Sequence, residues 1–350
     1  MAEDSNKHLT PAWIVYVEGK RLGTDHEGAL KWITVDDCLN GIGRCTLLFD
    51  SSAVKLRDAG TLALEKKIAI HMGYKDDLDE VFCGEITKTR IKLNEYGHEE
   101  LEVCGCNALY KLKHGKHLIS YEKKRVSDAV KEIIGKYSLS AEMDTFGGKH
   151  DFSTETEMSD YEYVMKAASE YGREVYAYGT KVYVKSEVSI SSEDIIYEWG
   201  KSLISFECSD DIENLLAQVS VTGWNIGKCT SFSGNAAAGD VPVKAGGSSC
   251  WTTESKQSSN FASVELDRMA LDEDDAKSRA AGILQRNSFR YIYGTGTGEG
   301  NYKLHPGMRV SIKYAGDVYS GEYIAEGVTH RLDVGGAYTT SFKLKRNMKK

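Results

Sequence analysis

The chain has 350 residues, with 52 acidic and 44 basic side chains and a formal net charge of −8 at pH 7. The length predicts two or three domains, and the acidic balance argues against a general binder of nucleic acid or anionic membranes, because those contacts need concentrated Lys and Arg. No run of about 18 apolar residues is present, so no membrane span is expected.

The start of the chain and its cysteines bear on the compartment. The first residues, MAEDSNKHLTPAW, are acidic and polar and lack an apolar run behind a basic start, so we expect no secretory signal and synthesis in the bacterial cytoplasm. The eight cysteines are scattered without a C-x-x-C pair. Cys104 and Cys106 form a C-x-C, which supplies too few ligands for zinc. We therefore expect free thiols in a reducing compartment, and neither a metal nor another cofactor.

Residues 11–115, behind an N-terminal tail at 1–10, have the pattern of an antiparallel β domain. Short runs of β-branched and aromatic residues are separated by Gly, Asn and Asp turns. This spacing favours a small barrel or sandwich, and we interpret it as a first β-barrel module. The predicted strands are AWIVYV (12–17), LKWITV (30–35), RCTLLF (44–49), IAIHMGY (68–74), EVFCGEITKTRIKL (80–93) and EELEVCGC (99–106).

Residues 116–202 change to a mixed pattern, which predicts an α/β insert domain. Apolar residues at helical spacing follow Ser127, a candidate N-cap. A second helix opens with a capping box, in which Ser159 is followed three residues later by Glu162. The predicted elements are helices at 126–137 and 159–172 and a hairpin at 174–185.

Residues 203–346 return to strands and predict a second β-barrel module. The stretch 231–260 is almost wholly small and polar, so we expect a mobile surface loop. A helix is predicted at 272–287, where acidic residues in the first turn suit the positive end of the helix dipole. GTGTGEG at 294–300 is expected to be a flexible loop, because no Lys-Ser/Thr follows to complete a phosphate-binding motif. Residues 347–350 are expected to form a basic C-terminal tail.

Two similar six-residue words suggest that the chain contains one module twice. VFCGEI contains Gly84 and Glu85, and VYSGEY contains Gly321 and Glu322. Each word follows an alternating strand and is followed by a hairpin partner strand, in the same order. A glycine within a strand favours a bulge or bend, so the two glycines would mark one shared bend. We therefore predict an internal duplication in which the two glutamates are equivalent.

The second hairpin can be assigned a register. A loop of Val334, Gly335 and Gly336, with one glycine in the left-handed conformation, satisfies the turn chemistry and matches the strand faces. His330 then lies on the half-buried face, where a histidine is more often packed and hydrogen-bonded than catalytic. The predicted opposite pairs are Leu332–Tyr338, His330–Thr340 and Val328–Phe342.

Motifs for catalysis are missing from the sequence. There is no P-loop, H-E-x-x-H, G-x-S-x-G or EF-hand pattern. Paired carboxylates for glycan cleavage can come from distant positions, so a tail-associated cell-wall hydrolase that uses Glu85 or Glu322 stays open as an alternative. A carbohydrate- or peptide-binding β module is another. The equivalence of the two acids favours a framework role, since a single active site seldom needs one acid from each copy.

Three segments together resemble the phage late control protein D family, over about residues 80–346. MSDYEYVMKAASEYGREVYAYGTKVYV is similar to that family's central helix and hairpin. VSVTGWN, which contains Gly223 and Trp224, is similar to its "v.v.GWd" strand. KLHPGMRVSIKYAGDVYSGEYIAEGVTHRLDVGGAYTTSFKLKR is similar to its C-terminal motif. The same fold forms the hub part of type VI secretion spike proteins.

The resemblance implies a non-enzymatic baseplate hub of a contractile tail or injection particle. Members are similar in being homotrimers with two related β-barrel modules per chain around an α/β insert. Six like modules would join a hexameric tail tube to a trimeric spike, since a trimer can imitate a hexamer only if each chain holds the unit twice. The implied partners are the tube, spike and baseplate wedge proteins, with a tape-measure protein or effector as candidates for the bore.

Two features depart from that pattern. Type VI spike proteins continue past the hub into a β-helical needle, which this sequence does not show, so we expect a separate spike subunit. The stretch SFSGNAAAGDVPVKAGGSSC matches no motif of the family. Its role is therefore unassigned by the resemblance.

Overall fold

The computed structural model describes residues 10–52, 56, 60–75, 77–190, 193–213, 215–225, 227–247, 249–250, 262–266 and 270–349. The fold is α+β and mainly antiparallel β, as the sequence predicts. Three large clusters of buried apolar side chains lie in the first β region, the insert and the second β region. Leu332 and Tyr338 of the second region also pack into the first cluster. The predicted domain boundaries stay a prediction, and most of the predicted tail at 1–10 lies outside the described residues.

The first β region contains the predicted alternation, with every second side chain buried over Arg44–Asp50 and over residues 67–72. A 3-10 helix follows at Ala108–Lys113. The elements are β1 (Pro11–Val17), β2 (Lys20–Arg21), α1 (Thr24–Ala29), β3 (Leu30–Cys38), β4 (Arg44–Asp50), β5 (Lys67–Tyr74), β6 (Asp77–Leu93) and β7 (Glu99–Cys106).

The insert packs two helices against two small sheets. Ser159 is the N-cap of the second helix, and the predicted capping box with Glu162 is confirmed. Ser127 is not a cap: Arg125 holds the N-cap position, and Ser127 lies inside the first turn. The elements are β8 (His117–Arg125), α2 (Val126–Lys136), β9 (Ser140–Met143), β10 (Lys149–Met158), α3 (Asp160–Glu170), β11 (Glu174–Tyr178) and β12 (Lys181–Lys185).

The second β region contains a further small sheet, β16-β15-β18, that packs on a long helix. A short 3-10 helix lies at Ala238–Asp240. The elements are β13 (Ile195–Glu198), β14 (Leu203–Asp210), β15 (Gln218–Asn225), β16 (Thr230–Ala237), β17 (Ser249–Cys250), β18 (Ala262–Leu266), α4 (Glu273–Ser288), β19 (Ile292–Glu299), β20 (Arg309–Lys313), α5 (Gly316–Tyr319), β21 (Gly321–Asp333), β22 (Tyr338–Arg346) and β23 (Met348–Lys349).

One sheet joins the two β regions. Its order is β14-β19-β22-β21-β3-β4-β7-β6-β5-β1-β2, with β20 on β21 and β13 on β20. The antiparallel pair β21–β3 connects the regions. Among the described residues, the order of paired strands does not return to its first strand. The two predicted barrels are therefore not closed by strand pairing. The reason is that β3 and β21 use one edge each to pair with each other.

The two regions repeat the same strand layout. The orders β3-β4-β7-β6-β5 and β14-β19-β22-β21-β20 are antiparallel throughout. An extra residue interrupts the first pair of each set, Lys31 in β3 and Ile204 in β14. A second interrupts the long hairpin of each set, Thr87 in β6 and Glu326 in β21. The repeated pattern thus extends to individual bulges.

The bulges correct the register of the predicted repeat. Two residues before each hairpin bulge, Glu85 lies opposite Cys106 and Ile324 lies opposite Lys345. Glu85 therefore corresponds to Ile324, and the prediction that it is equivalent to Glu322 is wrong. The two similar words are displaced by two residues along the strand. Because side chains alternate with a period of two, this displacement leaves the apolar–polar pattern unchanged.

The two glycines of those words have different structural reasons. A Cβ on Gly84 would lie 2.2 Å from the carbonyl oxygen of Cys106, so the backbones approach too closely for a side chain. Gly321 has φ +136°, a conformation that L side chains rarely adopt. The expectation of one shared bend is therefore wrong.

The predicted register of the last hairpin is confirmed. Gly335 has φ +74°, the left-handed conformation that the loop requires. Gly336 donates its N–H to the Asp333 carbonyl. The opposite pairs are Leu332–Tyr338, His330–Thr340 and Val328–Phe342.

The stretch predicted to be a mobile loop at 231–260 contains ordered elements where it is described. β16 pairs with β15 along its length, and Val241, Val243 and Ala245 are buried. The small residues allow close packing, since a Cβ on Gly234 would lie 2.1 Å from the Lys277 backbone nitrogen in α4. Residues 251–261 lie outside the described part of the chain.

The glycine-rich stretch 294–300 is also not a loop. Residues 294–299 belong to β19, a central strand between β14 and β22. Aromatic rings lie directly over the strand, so that a Cβ on Gly296 would be 2.6 Å from the Phe342 ring and a Cβ on Gly298 2.3 Å from the Tyr197 ring. Glycine is needed here for close packing.

The basic C-terminal residues do not form a free tail where they are described. Asn347 is buried and donates from Nδ2 to the Val243 carbonyl at 2.8 Å and to Ser288 Oγ at 3.0 Å. Met348 is buried too, and Lys349 Nζ lies 3.1 Å from Asp210 Oδ2. These contacts attach the segment to the second β region.

Candidate functional site

The joint sheet has one face that points away from the cores. Its side chains alternate with buried ones along β3, β4, β7 and β19 and along most of β22. One row of directly opposite residues crosses seven strands: Cys106, Arg44, Asp36, Thr329, Ser341, Thr297 and Ser205. We call this surface the open face. It spans both β regions without interruption.

Small hydroxyl and mixed charged side chains cover the open face. Thr329 Oγ1 donates to Asp36 Oδ1 at 2.8 Å, and Thr297 and Ser341 share a hydrogen bond of 2.9 Å. Arg44 lies opposite Asp36, and a groove of about 570 Å³ between the regions also includes Lys343 and Glu207. The charges are of both signs, so the face is not the concentrated basic surface that nucleic acid requires.

A buried carboxyl lies behind this groove. Asp37 accepts from the Tyr176 hydroxyl at 2.7 Å and from the Cys38 N–H at 3.1 Å. Burial raises the pKa of Asp37 to about 7, because the charged form loses its hydration, although both hydrogen bonds oppose the shift. This contact attaches β3 of the joint sheet to β11 of the insert.

The two glutamates of the predicted hydrolase alternative are held by cations. Glu85 accepts from Lys111 and from the Tyr110 hydroxyl. Burial pushes its pKa up, but these hydrogen bonds outweigh burial and leave the pKa lowered. Glu322 pairs with Arg309. A general acid for glycan cleavage needs a raised pKa, so the geometry of Glu85 favours a framework role.

His330 is a buried, hydrogen-bonded core residue, as predicted. Its Nε2 lies 3.0 Å from the Leu304 carbonyl, which can only accept, so Nε2 carries the proton. Nδ1 then accepts from the Tyr338 hydroxyl at 2.9 Å. Burial and the neighbouring His305 lower the pKa of His330 to about 3, which keeps the ring neutral.

The predicted pair Gly223 and Trp224 lies in the small sheet β16-β15-β18, away from the open face. A Cβ on Gly223 would be 2.3 Å from the Phe232 ring, so the glycine is required for packing. Trp224 points the other way and is 58% exposed. The small sheet thus places Gly223 in the core and Trp224 on the surface.

Sequence reasoning missed two free strand edges of the joint sheet. In the described residues, β14 pairs with a strand on one side only, apart from an isolated bridge between Leu203 and Trp199. A second free edge lies where β6 extends beyond its pairing with β5. In the described residues the Lys88–Leu93 part of β6 pairs only with β7, and all six residues are exposed.

The two edges carry opposite charges. The β6 edge presents Lys88, Arg90 and Lys92, of which Arg90 and Lys92 lie 3.7 and 3.8 Å from acids of β7. The β14 edge presents Glu207, followed by Asp210 and Asp211. The alternation of basic residues in TKTRIKL is a signal that could have identified the first edge from the sequence.

Among the described residues, no group of three or more His, Cys, Asp or Glu side chains is placed to hold a metal ion. No helix within the described ranges combines the length and apolar character needed to span a membrane.

One protein family and several solved structures are similar to the chain. Residues 7–333 match the family described as the Alg8 N-terminal domain. No curated protein matches the chain. The 43 kDa tail protein of prophage MuSo2 from Shewanella oneidensis has a similar structure, with a TM-score of 0.67, 10% identity and coverage of 97% of this chain and 99% of that one.

Two further solved structures share the fold. The tail protein from Neisseria meningitidis MC58 has a TM-score of 0.67 and 13% identity, and the match covers 97% of each chain. The E. coli c3393 protein, a component of the type VI secretion system, has a TM-score of 0.59 and 11% identity over 95% of this chain and 76% of that one. The predicted resemblance to phage tail and type VI proteins is therefore confirmed for the fold.

Proposed function

The chain belongs to the Alg8 N-terminal domain family, and we propose that it is the baseplate hub of a contractile tail or injection particle. The fold it shares along nearly its whole length with phage tail proteins supports this role. The similar type VI component supports it from a second kind of particle. The hub would be a structural, non-enzymatic part that is made in the bacterial cytoplasm and assembled into the particle.

The observation that carries the proposal is the repeated strand layout with its matching bulges. It supports an internal duplication, so three chains would present six similar modules. Such a homotrimer would match a hexameric tail tube on one side and a trimeric spike on the other. Wedge proteins would surround it, and a tape-measure protein or effector would occupy the bore.

The test is to purify the chain, alone and together with tube and spike proteins from the same source, and to measure masses by sedimentation. We expect trimers that bind both partners. A monomer at every concentration, with and without those partners, would contradict the proposal. A peptidoglycan zymogram band that disappears in Glu322→Gln would instead favour the hydrolase alternative.

A further inference from the structure

We propose that Asp37 and Tyr176 form a latch that holds the insert on the joint sheet while Asp37 is protonated and releases it when Asp37 ionises. Asp37 lies in β3 of the joint sheet, and Tyr176 lies in β11 of the insert, 139 positions later in the chain. The latch is a property of the single chain. It therefore goes beyond the proposed hub and does not depend on assembly.

The Asp37 carboxyl has no basic partner that would stabilise its charge. It accepts from the Tyr176 hydroxyl at 2.7 Å and from the Cys38 N–H at 3.1 Å, and no Lys, Arg or His in the described part of the chain forms an ion pair with it. Tyr176 is fully buried, and Asp37 is 9% exposed. Burial without a counter-charge disfavours the ionised form and raises the pKa of Asp37 to about 7. The neutral carboxyl is thus the form that suits the closed contact.

The titratable groups around the latch do not supply the missing positive charge. On the insert side the groups nearest to Tyr176 are tyrosines, and on the sheet side those around Cys38 are two acids and one base. These neighbours are Tyr178 and Tyr183 on the insert and Asp36, Glu326 and Lys343 on the sheet.

The contacts beside the latch join the free edge of β11 to the residues that follow β3. The Asn40 N–H donates to the Val175 carbonyl at 2.7 Å, and the Val175 N–H donates to Asn40 Oδ1 at 2.9 Å. Lys345 Nζ lies 2.7 Å from Glu174 Oε1. These partners occupy consecutive residues of β11, next to Tyr176. They would therefore open together once Tyr176 leaves Asp37.

A second attachment of the insert lies on α4, and its charges are balanced. Asp275 Oδ1 accepts from the Tyr171 hydroxyl at 2.9 Å and from the Gly148 N–H at 3.0 Å. Arg279 donates from Nε to Asp275 at 3.2 Å and from Nη1 to Glu170 at 2.9 Å. This attachment has the cation that the latch lacks, so it should stay closed when the latch opens.

A cleft of about 680 Å³ separates the two attachments, with α3 and β11 on one side and the end of α4 and β22 on the other. Asn40 and Glu174 line it, so water can reach the contacts beside the latch. At the α4 attachment the two backbones touch, since a Cβ on Gly172 would lie 2.7 Å from Gly282 Cα. We call this contact the pivot. The insert would turn about it and widen the cleft.

The direction of the pH effect follows from the raised pKa of Asp37. Docking of the insert is fully favoured below the ordinary pKa of aspartate, about 4, and weakens by up to about tenfold per pH unit as pH rises to about 7. Above pH 7 it stays constant. His305 opposes this effect in acid, because its ring packs on Tyr178 of the insert at 5.2 Å and burial lowers its pKa to about 4. Wild type and an Asp37 variant share His305, so the ratio of their docking equilibria isolates Asp37.

Amide hydrogen exchange at single-residue resolution tests the latch in the full chain. The readout is the opening constant at the N–H groups of Asn40 and Val175, corrected for intrinsic exchange rates. Between pH 5 and pH 8 the ratio of the wild-type constant to the Asp37→Asn constant should rise at least about tenfold at both amides. A ratio that does not change with pH would overturn the latch.

Two amides of the same molecule are internal controls. The Leu39 N–H donates to the Glu326 carbonyl and reports on the joint sheet, and the Gly148 N–H reports on the α4 attachment. Their ratios should not change with pH. An equal rise at Gly148 would show that the insert unfolds or detaches as a whole, which would also overturn the latch.

Matched variants separate the Asp37 carboxyl from other charges. Asp36→Asn, one residue earlier and exposed, removes the same charge and should keep the wild-type pH dependence. Glu174→Gln removes the ion pair with Lys345 but leaves Asp37 in place, so it should raise the opening constants by a similar factor at pH 5 and pH 8. A pH-dependent ratio in either variant like that of Asp37→Asn would contradict the assignment to Asp37.

Tyr176→Phe tests the latch from the insert side, and it also serves if Asp37→Asn does not fold. Loss of the hydroxyl removes the donor to Asp37. The opening constant at the Asn40 N–H should rise at least about threefold at pH 5, while that at the Gly148 N–H should not change. Unchanged opening at Asn40 would overturn the role of the Asp37–Tyr176 contact.

Discussion

At the residue scale, two buried ionisable groups, Asp37 and His305, make the stability of the fold depend on pH in opposite directions. The pKa of Asp37 is raised by burial to about 7, so the folded state holds this proton more tightly than the unfolded chain, and stability is lost as pH rises from about 4 to 7. Burial lowers the pKa of His305 to about 4. The stability that the neutral His305 ring contributes is therefore fully present above the ordinary pKa of histidine, and it is lost as pH falls from that value to about 4.

Asp37→Asn should therefore stabilise the protein increasingly as pH rises. The amide oxygen can still accept from the Cys38 N–H, while the neutral group has no charge to desolvate. The free energy of unfolding of Asp37→Asn relative to wild type should increase between pH 4 and 7 by up to about 1.4 kcal/mol per pH unit. Above pH 7 the difference should stay constant. Urea unfolding at several pH values measures it. A difference that does not change with pH would contradict a raised pKa.

At the element scale, sequence patterns identified alternating strands and capped helices well, because each depends on local spacing. The capping box at Ser159 was predicted from four residues and is confirmed. Ser127 was misassigned because the N-cap lies two residues earlier, at Arg125, and the helix begins at Val126. Local residue type alone cannot locate the first turn when a polar residue fits either position.

Replacing the two serines by alanine should separate these roles. Ser159→Ala removes an N-cap hydrogen bond and should cost about 1 kcal/mol of unfolding free energy. Ser127→Ala leaves the N-cap residue of α2 unchanged and should cost clearly less. Thermal and urea unfolding of both variants check this. Equal losses would contradict the assigned helix starts.

Glycine-rich segments show where the sequence misled. GTGTGEG was predicted to be a loop because glycine is common in loops, yet β19 lies between two strands with aromatic rings over it. Those rings come from Tyr197 and Phe342, which are distant in sequence. No local pattern contains this information.

Gly298→Ala tests the packing explanation. The new Cβ would lie 2.3 Å from the Tyr197 ring, so the variant should lose about 1–3 kcal/mol of unfolding free energy. Gly327→Ala in β21 is the matched control, because its Cβ would meet its nearest atom at 3.6 Å, an ordinary contact. The control should change stability far less. Similar losses in both would point to backbone effects instead.

At the scale of the whole molecule, the sequence predicted a repeated module but not its register. The similar words around Gly84 and Gly321 drew attention to the repeat, although the bulges show that they are two residues out of alignment. The pair β21–β3 joins residues almost 300 positions apart. The joint sheet could not be predicted before that pairing was known, although the alternating basic residues of TKTRIKL mark one of its free edges.

The central claim is that each chain supplies two equivalent modules to one ring. Electron cryomicroscopy of the assembled hub with its tube protein tests it most directly. We expect three chains that present six similar modules around one axis, with the two modules of each chain in equivalent positions. A ring in which the two modules of a chain occupy unrelated positions would contradict the account.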